Sequence, residues 1–356
     1  MPAPLSPLHT DLRIGEELRD ALAGLLDGLS PRQAAGAVER LIAGYRGSVP
    51  TDAPVLRDRA DVVAYAAYRM PATFEAVSAA LGALAERAPD LDPADHLDVG
   101  GGTGAAVWAA AATWGDGGEH TRATTVLDWA EPALALGREL AGASGSAAVR
   151  AAEWRRERIA PGGTLPAADL VTVSYVLNEL TEDARRSLVD AAAAAGRAVV
   201  VVEPGTPDGY LRVREARERL TAAGLRVLAP CPHGGTCPIA PGSDWCHFAA
   251  RVSRSSLHRQ VKGGSLAYED EKFSYVAAVR PEVGGTAAGA RIVRRPRIRK
   301  GQVLLDLCAG PDAERGGMRS ETVTKRHGPA YRAARDAAWG DEWGGERDDE
   351  GSAPSR

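Results

Sequence analysis

Three of the four cysteines in this 356-residue chain, Cys231, Cys237 and Cys246, fall within sixteen positions. The fourth, Cys308, comes much later, in the strand-like run QVLLDLCAG. Two are followed by proline (Pro232 and Pro238), and His233 and His247 lie beside them. Thiols gathered this densely suit a metal centre better than generic core filling, although four unligated buried cysteines are the plainer alternative. The spacing C-x5-C-x8-C-x61-C does not match the paired C-x2-C knuckles of structural zinc. Four thiolates can hold either a zinc ion or a [4Fe–4S] cluster, and Cys-Pro pairs, which occur in ferredoxin-type ligation, tilt the chemistry towards iron.

A second candidate site is the turn Asp98-Val99-Gly100-Gly101-Gly102-Thr103-Gly104, set between a short apolar strand and an alanine-rich helix. Glycines let a backbone bend sharply and approach a ligand closely, and the following helix offers free N–H groups. An acidic residue at the end of the next strand, Asp128, can accept bonds from ribose hydroxyls. Trp129 beside it could stack on an adenine or simply pack in the core. The order of Asp98, Gly100, Gly102 and Gly104 resembles motif I of class I S-adenosylmethionine-dependent methyltransferases. The dinucleotide pattern, Gly100-x-Gly102-x-x-Ala105 in its G/A variant, is the competing fit. No Asp/Asn-Pro-Pro-aromatic tetrad follows, and no Pro-Cys pair lies in the α/β part. The catalytic residues are therefore unassigned. Asn178 and Glu179 stand where such residues often lie, but a capped strand-to-helix turn explains them equally well.

The third candidate is electrostatic. The chain carries a net charge of −4, yet residues 251–300 hold 12 Lys and Arg against 4 Asp and Glu. Arg291, Arg294, Arg295, Arg297, Arg299 and Lys300 form the densest run, with Arg251, Arg254, Arg259 and Lys262 upstream. Such clusters suit phosphate contacts, against the blander reading of a solvated arm.

These sites need elements to hold them. Alternating strands and helices from about residue 91 onward predict a parallel sheet covered on both faces, a Rossmann-like α/β fold. The residues before it read as helices: 11–29, then 31–47 opened by Ser30-Pro31, then 60–90 broken at Pro71. Tyr65, Tyr68 and Arg69 could touch a substrate, although packing the helices onto the α/β domain is the simpler role. LRVLAP reads as a strand running into Cys231 and FSYVAAVR (273–280) as a later one, so the cysteine stretch is an insertion. Strand-like segments at 290–308 and 317–324 precede a helix at 329–339. The expected organisation is a helical region (1–90), a methyltransferase-like domain (91–280) with a cysteine insertion (229–272), a basic extension (281–343) and a disordered tail (344–356). No apolar run reaches the roughly 18 residues a spanning helix needs, so no membrane role is expected. No secretion signal opens the sequence, and the expected compartment is the cytoplasm.

The phrases CPHGGTCP, DWCHFAARVSR, LHRQVKGGSLAYEDEKFSYV, GQVLLDLCAG and TVTKRHGPAYRAARDAAWGDEW resemble the methyltransferase-like family of mitochondrial small-ribosomal-subunit assembly factors and its bacterial relatives. The resemblance runs from the N-terminal helices to Trp343 and is densest from Cys231 to Trp339. It implies a class I S-adenosylmethionine-dependent methyltransferase core whose last two strands are antiparallel. It also implies a [4Fe–4S] cluster on Cys231, Cys237, Cys246 and Cys308. The expected partner is small-subunit ribosomal RNA or the assembling small subunit, bound by a monomer. The expected activity is methyl transfer to that RNA. The alternatives are an RNA-binding assembly factor with a degenerate methyltransferase fold, and an iron–sulfur redox enzyme using a dinucleotide.

Overall fold

The structure, a computed structural model, describes residues 7–26, 36, 38, 59–118, 120–158, 160–255, 266–310 and 317–344. Its larger sheet is built on β1 (Asp95–Val99), β2 (Ala123–Asp128), β3 (Glu153–Arg156), β4 (Ala168–Ser174) and β5 (Gly196–Pro204). These five are parallel, in the order β3-β2-β1-β4-β5. The long β8 (Tyr268–Val279) then runs antiparallel to β5. On the far edge of β8 lie β6 (Arg226–Ala229) and β7 (Phe248–Ser253), both antiparallel to it. A parallel series closed by an antiparallel pair is the class I methyltransferase sheet.

Central strands are apolar on both faces, as a sheet covered on both sides requires. Val199, Val200 and Val201 of β5 are all fully buried, and they alternate between two cores. One face is covered by α1 (Pro7–Leu26), α2 (Arg59–Arg87), α3 (Ala105–Trp114) and α4 (Glu131–Gly142). The other is covered by α6 (Glu182–Ala195) and α7 (Pro207–Ala222), while the short α5 (Ala147–Arg150) precedes β3. A helix that is apolar all round belongs inside. Accordingly α3, AAVWAAAATW, buries every residue from Ala105 to Ala112.

The expected break at Pro71 is corrected: α2 runs through it. Ala66, Met70, Phe74, Val77, Leu81 and Leu84 of α2 are buried at helical spacing on both sides of Pro71. That packing offsets the lost backbone bond. The helix expected over 31–47 lies outside the described residues except at two positions, and the tail from 345 onward lies outside them entirely.

The cysteine insertion contributes a strand the sequence reading missed. β7 pairs with the first half of β8, from Phe248↔Phe273 to Ser253↔Tyr268. β8 itself therefore begins earlier than the expected 273. The C-terminal part forms a second, five-stranded sheet from β9 (Ala290–Ile292), β10 (Arg297–Arg299), β11 (Gln302–Ala309), β12 (Gly317–Thr324) and β13 (Glu342–Trp343). One edge of β11 pairs along its whole length with β12, and the other pairs with β10 and then β9. Helix α8 (Pro329–Asp336), shorter than the 329–339 expected, follows β12, and its Ala334 joins this sheet's own core. No helix among the described residues is long and apolar enough to cross a membrane.

Candidate cofactor site and cysteine centre

β1 delivers the glycine turn to the C-terminal edge of the sheet, where β2 and β4 end beside it. Gly100, Gly102 and Gly104 have φ of 69°, 54° and 80°, the left-handed region that favours glycine. Their missing side chains serve different ends. A Cβ on Gly104 would lie 2.4 Å from the Trp154 ring, whereas one on Gly102 would meet only Asp128 Oδ2, at 3.9 Å. Gly102 therefore presents bare backbone to open space, as a ligand cradle requires.

Asp128 is tied into this cradle. Its Oδ2 accepts the Gly102 N–H at 2.9 Å and its Oδ1 accepts the Ala130 N–H at 2.8 Å. Trp129 is half-buried, with the Arg158 guanidinium 5.9 Å from its ring centre. Asp98 lies beneath the turn, fully buried. Its Oδ1 accepts the Thr172 hydroxyl at 2.7 Å, and its Oδ2 has no partner. Burial pushes its carboxyl up to about 7, against the pull of the Thr172 hydrogen bond.

His96 and Thr172 are site residues that the sequence reading passed over. His96 Nε2 lies 2.8 Å from Thr172 Oγ1. Burial, with Arg122 nearby, drives the imidazole down to about 3, so it is neutral. Because the Thr172 hydroxyl donates to Asp98, His96 must donate to Thr172, which fixes the proton order His96→Thr172→Asp98. The signal was present as polar residues inside the buried strands DHLDV and ADLVTVS, with Asp98 and Thr172 in register.

The end of β4 holds another missed residue. Tyr175 has φ of 58°, a strained value for a bulky side chain. Its hydroxyl donates to Glu271 Oε1 at 3.1 Å, and Arg69 reaches the same oxygen at 3.2 Å while standing over the Tyr175 ring. Arg69 thus joins α2 to β8. Next in sequence, Val176 packs directly against Gly100, and the Leu177 N–H donates to the buried Glu203, itself paired with Arg212 at 2.7 Å. Asn178 and Glu179 sit exposed on the short turn that follows.

The four cysteines line one cavity: three lie on the loop between β6 and β7, and the fourth comes from the second sheet. Cys231 follows β6, Cys246 precedes β7, and Cys308 lies on β11 of the second sheet. Cys237, on the loop between β6 and β7, has its Sγ 3.3 Å from the Tyr210 hydroxyl of α7. His233 Nε2 is 4.0 Å from Cys308 Sγ. Burial raises Cys231 and Cys246, and pushes Cys308 up to about 12, with neighbouring cysteines adding to each rise. As bare thiols, Cys231, Cys246 and Cys308 are therefore protonated at neutral pH, and none of the three is an activated nucleophile. Among the described residues, no three His, Cys, Asp or Glu side chains are grouped closely enough to hold one metal ion.

The basic run divides. Arg291 is corrected: it is 4% exposed and donates to the carbonyls of Pro230 and Gly340, so it faces inward. Arg294 is tied to Asp244 and to the Trp245 carbonyl, and Arg297 pairs with Asp306 at 3.1 Å. Arg295, Arg299 and Lys300 are exposed. Asp270 lies 3.5 Å from Arg251 and 4.0 Å from Arg295, which brings the two basic segments together. There Arg251 stacks 4.2 Å over the exposed ring of Tyr268. Arg254 reaches Glu269 at 3.2 Å, whereas Arg259 and Lys262 lie outside the described residues.

Among solved structures, the chain resembles an O-methyltransferase family protein from Burkholderia thailandensis, with 15% identity and a TM-score of 0.40 over 69% of this chain and 68% of that one. It also resembles magnesium protoporphyrin IX methyltransferase from Synechocystis, with 10% identity and a TM-score of 0.38 over 59% and 83%. At these scores the fold assignment rests on the strand order itself. In sequence, the chain is 30% identical over 294 residues to the human protein named ribosome assembly protein METTL17, mitochondrial. That match covers 78% of this chain and 61% of the human protein. It is 27% identical over 229 residues to the mitochondrial Rsm22-cox11 tandem protein 2 of Schizosaccharomyces pombe, covering 51% of this chain and 30% of the relative. The chain thus spans less than two thirds of either relative. Both are named for the mitochondrion, which overturns the cytoplasmic expectation. The family model described as mitochondrial small ribosomal subunit Rsm22 matches residues 59–344, both sheets and all four cysteines included, and the chain belongs to that family.

Proposed function

We propose that this chain binds S-adenosylmethionine in its glycine cradle, carries a [4Fe–4S] cluster on Cys231, Cys237, Cys246 and Cys308, and acts on or binds small-subunit ribosomal RNA or the assembling subunit. The observation that carries the reading is the convergence of four cysteines, from both sheets, on one cavity. Four cysteine thiolates are a donor set that would hold a [4Fe–4S] cluster, and the two Cys-Pro pairs favour it over zinc. Its role is that of a clasp, holding the second sheet and its basic surface against the methyltransferase sheet. The Arg251–Tyr268 stack beside Arg295 supplies a base-stacking face with phosphate contacts next to it.

In the cradle, the unpartnered Asp98 Oδ2 supports a site for a polar group at the methionine end, and Asp128 keeps lone pairs for ribose hydroxyls. The sulfonium supplies an activated methyl group. The chain's part is to hold and orient it towards an RNA nucleophile. One observation favours a second reading, binding without methyl transfer. Tyr175 is engaged by Glu271 and Arg69, and among the described residues Asn178 and Glu179 have no hydrogen-bonded acid or base partner, although desolvation, with Asp128 and Glu203 nearby, raises the Glu179 carboxyl to about 7.

Anaerobic purification with iron, sulfide and zinc analysis, followed by crosslinking to RNA, tests the assignment. Stoichiometric zinc without iron would defeat the cluster, and crosslinks without small-subunit RNA would defeat the partner. Asp98→Ala and Gly102→Arg abolish function if cofactor use matters and spare it if the chain only binds.

A further inference from the structure

Two arginines are buried at the cysteine cavity with no carboxylate to answer them. Arg217 of α7 is 4% exposed. It donates to the carbonyls of His233 and Gly235, at 2.8 and 2.6 Å, and its charge favours the thiolate of Cys231 against the burial that raises it. Arg291 of β9, equally buried, donates to the carbonyls of Pro230 and Gly340 at 3.0 and 2.8 Å. Both side chains line the cavity that the four cysteines line. Arg217 Nε and Arg291 Nη2 are buried without a partner. Nearby arginines are treated differently, since Arg214 pairs with Glu218 and Arg294 with Asp244. Among the described residues, neither Arg217 nor Arg291 forms an ion pair.

An uncompensated buried cation costs several kcal/mol, and carbonyl dipoles solvate its charge without cancelling it. Among the described residues, the cavity is lined by no carboxylate; its acidic groups are the four thiols and the phenols of Tyr210 and Tyr275, and the thiols are the stronger acids. Four thiolates around an oxidised [4Fe–4S] core leave two negative charges, and two guanidinium groups match them. We propose that Arg217 and Arg291 are the counter-charges of the cysteine centre, a built site for a buried inorganic group of about two negative charges. The proposal rests on the cluster reading given above. It has a direct electrostatic consequence. Reduction adds one electron to the centre, so the two arginines favour the reduced form, and removing either one disfavours it.

The test uses the full chain, purified anaerobically, as Arg217→Met, Arg291→Met, Arg217→Lys and Arg291→Lys. Iron and sulfide per chain are measured first, and then the reduction midpoint by dithionite titration followed by electron paramagnetic resonance. Each Met variant should lower the reduction equilibrium constant at least tenfold, which is 59 mV for one electron. Each Lys variant should recover most of it. Complete loss of the cluster in the Met variants, with retention in the Lys variants, also supports the proposal. Met variants that keep the cluster within threefold of the parent's constant overturn it. So do Lys variants that stay folded by circular dichroism yet lose the cluster as completely as Met, because then fork geometry matters and charge does not. A parent holding zinc and no iron or sulfide defeats the cluster reading alone. The counter-charge is then read from zinc release to a chelator, at least tenfold faster in Met than in Lys variants if it stands and equal if it falls. A parent that binds neither overturns both.

Discussion

Asp98→Asn separates the two demands made on the buried carboxylate beneath the glycine turn. Burial raises its carboxyl from 3.8 to about 7 in the folded protein. The folded state therefore holds a proton that the unfolded chain releases, and the group contributes its full stability only below about pH 4. That contribution falls as pH rises and is exhausted once pH passes about 7. At about 1.36 kcal/mol per pH unit, the loss between pH 5 and pH 7 is roughly 2 kcal/mol. Asparagine keeps the shape and an oxygen for the Thr172 hydroxyl but carries no titrating proton. Urea unfolding at pH 5, 6, 7 and 8 should show the variant gaining roughly 2 kcal/mol on the parent from pH 5 to 7, and little more by pH 8. Binding of S-adenosylhomocysteine should move the opposite way. A carboxylate that meets the cofactor's ammonium must ionise to do so. Affinity in the parent should then rise with pH towards 7 and flatten, whereas Asp98→Asn binds more weakly with little dependence on pH. Parallel stability curves for the two proteins across pH 5 to 7 would refute the buried-carboxylate argument, whatever happens to binding.

Gly104→Ala meets both a left-handed backbone and the Trp154 ring, which also closes on Gly137 and so cannot move aside. Thermal or urea unfolding should show a loss of about 2–4 kcal/mol. Glu203→Ala strips the Leu177 N–H and Arg212 of their buried partner and should cost about 3 kcal/mol in the same assay. The raised thiols of Cys231, Cys246 and Cys308 must lose protons to ligate, so reconstitution followed by absorbance should become more favourable from pH 6.5 to 8.5, with protons released into weak buffer. Double replacement of Arg299 and Lys300 by alanine should lower the salt dependence of single-stranded RNA binding by a slope of about 1.4 at two phosphate contacts, read by filter binding across salt concentrations.

What the sequence made legible was local. The glycine turn and the strand end at Asp128 follow from short-range pattern, because a buried parallel strand and a tight turn each constrain their own residues, whereas the antiparallel placement of the last strands comes from the family resemblance. What it concealed was set by tertiary packing. Pro71 reads as a break, yet apolar residues buried on both sides keep α2 continuous. Arg291 reads as one of six basic residues, but β9 lies between β11 and β13 and turns that side chain inward. Tyr175 has no signature in sequence, since its partners, Arg69 on α2 and Glu271 on β8, lie far from it along the chain. The cysteine spacing suggested a shared centre without saying which elements would bring Cys308 back to the others.

That return of Cys308 makes the cavity a record of how much chain exists. Cys231, Cys237 and Cys246 are in place once the first sheet is complete. Cys308 enters only when β11 is held by β9 on one edge and by β12 on the other, from Gln302↔Thr324 to Ala309↔Gly317. A polypeptide that ends before residue 308 carries three of the four cysteines, and one that ends between 309 and 316 carries all four but lacks the β12 edge that pairs with Cys308. A centre that needs all four thiols in place, as proposed above, would therefore report that the second sheet has been made.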